Sequence, residues 1–252
     1  VTELLVGAVA GLACAVAGLL VPYVVARLPE PPAVPDLEDG AEPTPAQQVV
    51  LDEGPKPPYA ELARAPGFAA ATATTAGFSG ALLGWSLGWE GELLLVLPLA
   101  PVGAALALVD LRCRLLPRWL VLPTLGLALV YGVAAWLLTG SADDLVRGLI
   151  GMVAARSVFW VLWFIRSAGM GFGDVRLSAL LGFVLAHLGW AEYAVGLYAP
   201  FLLFAVPGLV LAVVRRDRSL LKRAMPFGPF LLAGALLGVV AGEALLDGLR
   251  AG

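Results

Sequence analysis

Two acidic residues stand where a carboxylate is costly. Asp110 closes an apolar run, and Asp174 follows the glycines of Gly169-Met170-Gly171-Phe172-Gly173-Asp174-Val175-Arg176-Leu177, a stretch set between two further apolar runs. An acid at the edge of a bilayer is a functional-site hypothesis by default. If the two converge, like-charge repulsion and partial desolvation oppose double ionisation, so the pair holds one proton over a range of pH. The ionised member then takes a proton from water as it attacks a peptide carbonyl, and the protonated member donates to the carbonyl oxygen. This chemistry needs no metal, cofactor or nucleophilic side chain. Other hydrolytic constellations are thin: His187 is the single histidine and lies at the far end of the run that Asp174 opens, and no His/Cys cluster has metal-ligand spacing. The bland alternatives are an N-cap role for Asp174 and an interfacial pairing of Asp110 with Arg112 or Arg114.

A peptide bond within a transmembrane helix is shielded by its own hydrogen bonds and must be unwound before water can attack it. Glycine has no Cβ, so Gly171 and Gly173, flanking Phe172, let the main chain bend, visit positive φ and pair with an extended segment. Pro226, Phe227, Gly228 and Pro229 open the last apolar run with missing backbone donors and an irregular start. These seven positions are the expected substrate-binding residues.

The elements that must position them are helices in a membrane. The chain has 252 residues, 60% hydrophobic and 14% charged, with a mean hydropathy of +0.90. Its apolar runs approach the ~20 residues that cross a bilayer. The expected fold is all-α, a polytopic helical membrane protein of about eight transmembrane helices. The spans are about Leu4 to Val25, Phe68 to Leu87, Leu93 to Val109, Leu120 to Leu138, Leu145 to Ile165, Val175 to Leu188, Tyr193 to Val214, and one from Met225-Pro226 to about Leu246.

Cytoplasmic loops carry the excess of Lys and Arg. With the N-terminus and C-terminus outside, all sixteen Lys and Arg except Arg147, Arg156 and Arg250 fall at the inner face. Asp110 and Asp174 then lie at the cytoplasmic ends of their helices. The expected organisation is a first transmembrane helix over 1-28, a Pro-rich acidic cytoplasmic loop over 29-66, and a membrane-embedded core over 67-252. A short helix is expected near Tyr59 to Arg64. The first run carries Glu3 and no basic n-region, so it reads as an uncleaved helix.

A net charge of −3 with scattered basic residues gives no reason to expect nucleic acid. Cys14 in an apolar run and Cys113 in a basic loop are expected at different depths, without a disulfide. Arg156 falls mid-span, where pairing with Glu243, snorkelling or packing on carbonyls are its readings. His187 is expected as a polar helix end at the outer interface. The repeated Gly-Ala-Leu-Leu-Gly at 80–84 and 234–238 is expected to permit close helix packing.

Three motifs in order resemble a known family. Asp110 with Leu115-Leu116-Pro117 and Leu120-Val121-Leu122-Pro123, then Gly171-Phe172-Gly173-Asp174-Val175-Arg176-Leu177, then Pro226-Phe227-Gly228-Pro229-Phe230-Leu231, is similar to the type IV prepilin peptidases, GxGD-type aspartic membrane proteases. The resemblance runs from about residue 67 to the end. It implies that Asp110 and Asp174 are catalytic and that the reaction is cleavage of leader peptides from prepilins or pseudopilins at the cytoplasmic face of a bacterial inner membrane. It also implies substrates whose leader ends before an apolar helix.

The sequence departs from the family at Arg118, Val121 and Arg176, and residues 29 to 66 hold no Cys or His. Many family members bind zinc there through paired CxxC motifs, in a region associated with N-methylation, so zinc is excluded here on ligand chemistry. The expectation is a peptidase, with a bifunctional peptidase and N-methyltransferase as one alternative. A transporter or assembly component that uses the two acids to hold a cation or proton is the other.

Overall fold

The computed structural model describes residues 2–30, 56–165, 170–214 and 226–251. They form ten helices: α1 (Thr2–Val25), α2 (Tyr59–Arg64), α3 (Phe68–Leu87), α4 (Leu93–Val96), α5 (Leu99–Cys113), α6 (Arg118–Thr139), α7 (Asp143–Ile165), α8 (Phe172–Leu188), α9 (Trp190–Val214) and α10 (Gly228–Ala251). The expected all-helical class is the observed one, and the expected short helix is α2. Gly169 and the basic stretch 215–225 lie outside the described residues, as does most of the loop over 29-66.

Six stretches are long and apolar enough to cross a membrane: Thr2–Val25, Leu93–Cys113, Arg118–Thr139, Asp143–Ile165, Trp190–Pro207 and Gly228–Gly248. The protein is therefore a multi-pass membrane protein. The other two expected spans differ for physical reasons. Thr, Ser and Gly dilute the apolar residues of α3, and α8 has 17 residues, about 26 Å of helix against a hydrocarbon core of about 30 Å.

Three helix pairs are packed most closely: α1 with α3, α7 with α8, and α9 with α10. Small residues explain each, because without Cβ atoms the backbones approach and gain dispersion contacts that lipid cannot replace. A Cβ on Gly84 would lie 2.7 Å from the Ala10 Cβ, and one on Gly80 would lie 2.6 Å from the Cys14 Cβ. The Thr72 hydroxyl donates to the Gly18 carbonyl across the same seam at 2.8 Å. On the second pair, a Cβ on Gly182 would lie 2.6 Å from the Ala155 Cβ. On the third, one on Gly238 would lie 2.7 Å from the Gly196 Cα. Both copies of the Gly-Ala-Leu-Leu-Gly repeat thus lie in close seams, as their composition suggested.

The most enclosed helix is α8, buried at every residue from Asp174 to His187 except Arg176 and packed by α6, α7, α9 and α10. Arg147 on α7 holds its far end, donating to the carbonyls of Ala186, His187 and Leu188 and pairing with Asp144. These are the orphan acceptors of a helix C-terminus, where a cation is favoured.

Some expectations are corrected in detail. His187 ends a helix and is buried by its neighbours, stacked near Phe183 and edge-on to Tyr131. Cys113 belongs to the last turn of α5, not to a loop, and is buried against α2; Cys14 and Cys113 are separate free thiols. Arg156 is exposed on α7 and forms no ion pair with Glu243 among the described residues.

Candidate active site

Asp110 occupies the last turn of α5 and Asp174 the first turn of α8. Each is only 5% exposed, an unusual degree of burial for a carboxylate. The two acids lie within electrostatic reach of each other, and Lys56 and Arg114 lie within reach of Asp110.

The chain leaves α5 through a tight reversal. Arg114 has φ 52, the one non-glycine positive φ among the described residues, and its amide donates to the Asp110 carbonyl at 2.8 Å. A left-handed residue ends the helix one turn after the acid and swings Leu115-Leu116-Pro117 back across it. Leu116 is thereby buried between the other two motifs. A Cβ on Gly173 would lie 2.8 Å from the Leu116 Cβ, and a Cβ on Gly228 would lie 3.2 Å from its Cδ2. One leucine therefore joins the turn after Asp110, the helix carrying Asp174 and the start of α10.

Gly228 also touches Asp110 directly. Its amide, one of the unpaired donors at the start of a helix, donates to Asp110 Oδ2 at 3.0 Å within the buried interior. Arg112 is exposed, so the Asp110 carboxyl turns inward to a backbone donor rather than outward to that cation. Gly228 leaves room for this bond, since a Cβ there would stand 2.7 Å from Oδ2.

Asp174 is not the N-cap. That position is Gly171, with φ −73 and ψ 148, and no side chain caps the helix. The Asp174 amide donates to the Gly171 carbonyl at 3.1 Å, while the buried Oδ1 has no hydrogen-bond partner among the described residues. Gly171 and Gly173 do not take positive φ; that conformation occurs at Gly67, Gly88 and Gly140. Gly173 is needed for close approach to Leu116 rather than for bending.

The remaining sequence-selected positions surround this centre. The Phe172 ring lies edge-on to Trp163 at 5.1 Å. Phe227 is buried among Phe159, Phe201 and Phe204 and anchors the entry to α10. Pro226 directly precedes that anchor, and Pro229 lines an apolar cavity of about 260 Å³ that also touches Gly103, Ala107, Leu181 and Leu232. Gly103 and Asp110 are seven residues apart on α5, so they share a face; the cavity lining on that helix reaches Ala107, about one turn before the acid. Leu116, Arg147 and this cavity were missed in the sequence. Only Leu116 carried a signal, through its motif. No group of three or more His, Cys, Asp or Glu positioned to hold a metal occurs among the described residues.

The model of the type IV leader peptidase family matches residues 95–242, the segment that holds both acids and all three motifs. Among curated proteins, a prepilin leader peptidase/N-methyltransferase of Pseudomonas putida is 34% identical over 166 residues, 64% of this chain and 54% of that protein. One of Pseudomonas aeruginosa is 31% identical over 180 residues, 69% and 57% of the two chains. One of Burkholderia pseudomallei is 34% identical over 166 residues, 62% and 50%. The chain thus spans about half the length of the curated relatives it matches. No solved structure matches.

Proposed function

Because the chain belongs to the type IV leader peptidase family, we propose that it is a membrane aspartic endopeptidase that removes leader peptides from type IV prepilins or pseudopilins. The observation that supports this reading is the burial of two carboxyls, Asp110 and Asp174, within electrostatic reach of each other, with Leu116 packed between their helices and Gly228. The site faces the cytoplasm across a bacterial inner membrane, in a bundle of eight spans with both ends outside.

The ionised aspartate takes a proton from water while the water oxygen attacks the scissile carbonyl carbon. The protonated aspartate gives its proton to the carbonyl oxygen, forming a tetrahedral intermediate. On collapse the C–N bond breaks, the leaving amine takes the proton that came from water, and one hydroxyl of the intermediate returns its proton to the other aspartate as the carbonyl re-forms. The bond from Gly228 fixes Asp110 Oδ2, and the buried Asp174 Oδ1, without a protein donor, is the oxygen left to bond water or substrate once they enter. The leader's exposed backbone is held by Gly171, Phe172 and Gly173 on one side and Pro226, Phe227, Gly228 and Pro229 on the other. Apolar side chains of the helix that follows the cut bond can enter the cavity between α5 and α10.

The deciding experiment is cleavage of co-expressed prepilins by the wild-type chain and by Asp110→Asn and Asp174→Asn at equal membrane levels. Loss of at least about a hundredfold in rate is expected for each, the scale of a missing general acid or base. Retained cleavage by either variant defeats the dyad. Ion flux that depends on the same acids, with every prepilin uncut, favours the cation-binding alternative. The relatives' printed names also include N-methyltransferase, and mass measurement of the product with labelled methyl donor tests that second activity; the absence of Cys and His from residues 29 to 66 leads us to expect no transfer.

A further inference from the structure

Arg156 has no place in the proposed peptidase chemistry, yet it sits where a charge is hard to keep. It is exposed on α7 on the same face as Val153 and Trp160, which are 59% and 45% exposed. Nine residues separate it from the end of that helix at Ile165, about 14 Å along the axis. A cation on a membrane-facing surface at that depth requires an anion or a path to water.

The helix registers bring two more arginines to the same groove. The pairing of Gly182 with Ala155, and of Phe172 with Trp163, runs α8 antiparallel to α7. Arg176 therefore lies on α8 between the levels of Arg156 and of Trp163. Gly132 of α6 packs on Phe183 of α8 and the two helices run in parallel, so Arg118 at the start of α6 lies near the start of α8. The result is a line of guanidinium groups from the aspartate end of the bundle into the groove between α6 and α7, two helices that touch each other little. Arg118 and Arg156 both lie within electrostatic reach of Arg176. No carboxylate pairs with any of the three among the described residues. The Arg118 guanidinium lies 5.1 Å from the Trp119 ring centre and that of Arg176 4.8 Å from Phe172, contacts that orient the planar forks and leave their N–H edges to donate.

We propose that Arg118, Arg156 and Arg176 form a binding site for the phosphate of an anionic phospholipid, which enters the α6–α7 groove from the bilayer. Three like charges without an internal acid need an external one, and the phosphate group is the anion that the membrane offers on this side. Guanidinium forks match its oxygens, and basic pockets between membrane helices are suited to such headgroups. The acyl chains then lie on the exposed apolar face formed by Val153, Trp160 and Phe164.

The test uses the whole chain in nanodiscs of phosphatidylcholine, alone or mixed with phosphatidylglycerol, with lipid retention read by native mass spectrometry and stability by thermal unfolding. Preferential retention of phosphatidylglycerol and a higher unfolding temperature in the mixed discs are expected. Arg118→Gln and Arg156→Gln should each weaken retention about fivefold, the effect of about 1 kcal/mol for one basic residue at a membrane surface. Arg156→Lys should keep most of it, and Arg64→Gln, an exposed arginine on α2, should change nothing. Equal retention of both lipids, or unchanged retention in Arg156→Gln, overturns the site. The same stabilisation by inorganic phosphate in phosphatidylcholine discs overturns the lipid as its source. Intact retention in Arg156→Gln, combined with slower leader cleavage, assigns the arginines to the substrate and also overturns the proposal. The lipid-retention and unfolding readouts do not require the peptidase reading to hold.

Discussion

The amide of Gly228 and the carboxylate of Asp110, 118 residues apart in sequence, meet in a buried hydrogen bond of 3.0 Å. The bond ties the start of α10 to the end of α5 and fixes one oxygen of the acid. It also explains why position 228 has no side chain, because a Cβ would enter the space of that oxygen.

Gly228→Ala should therefore leave the bundle folded and damage the chemistry. The new methyl group, 2.7 Å from Asp110 Oδ2, forces the carboxyl to rotate away from its donor. A displacement of about 1 Å at a reacting group lowers the rate by about a hundredfold. Steady-state cleavage should show the loss in kcat with little change in thermal unfolding; an unaltered kcat would separate this bond from catalysis.

Gly173→Ala places a methyl 2.8 Å from the Leu116 Cβ, a backbone-proximal atom that cannot swing aside. Overpacking of this kind costs about 1–3 kcal/mol. Leu116→Gly removes that Cβ, so the double variant should be more stable than the sum of the two singles, with a coupling of about 0.5–3 kcal/mol. Thermal unfolding of the four proteins in one detergent measures it, and simple additivity would mean that the two residues do not press on each other.

Tyr59, on α2 outside the membrane-spanning helices, is 4% exposed. Burial, with smaller contributions from Cys113 and Glu30, pushes its phenol up from 10.0 to about 12. The folded state thus favours the protonated phenol, and the associated stability is full below pH 10 and is lost as pH rises to about 12. Absorbance titration of the wild type against Tyr59→Phe should remove one late-ionising tyrosine. The Phe variant should also lose less stability between pH 10 and 12 than the wild type does; equal losses would contradict the assignment.

What was readable in the sequence and what was not divide along contact range. Apolar run lengths located the helices, and the spacing of small residues at 80–84 and 234–238 foretold two close seams, because both are local properties of one helix face. The motif order selected Asp110 and Gly228, whose hydrogen bond is visible only in three dimensions. The close approach at Gly173 has no local signal, since the need for a missing side chain comes from Leu116, 57 positions earlier by subtraction of the residue numbers. Arg147 escaped notice because its partners are the carbonyls of Ala186, His187 and Leu188, and a backbone acceptor has no sequence signature. The burial of His187 was not readable because it depends on neighbours from other helices.

The close pairs α1–α3, α7–α8 and α9–α10 act mechanically as three stiff blades, since backbone touching backbone leaves little freedom to slide. Side-chain layers between blades yield more easily. Asp174 rides on one blade, Gly228 on another, and Asp110 on α5, which is in none of them. The geometry of the two acids is consequently a property of how separate bodies are seated against one another, and Leu116 is the spacer that sets their gap. A molecule that wedges between blades would uncouple the acids without touching either, and one that draws the blades together would bring them into register.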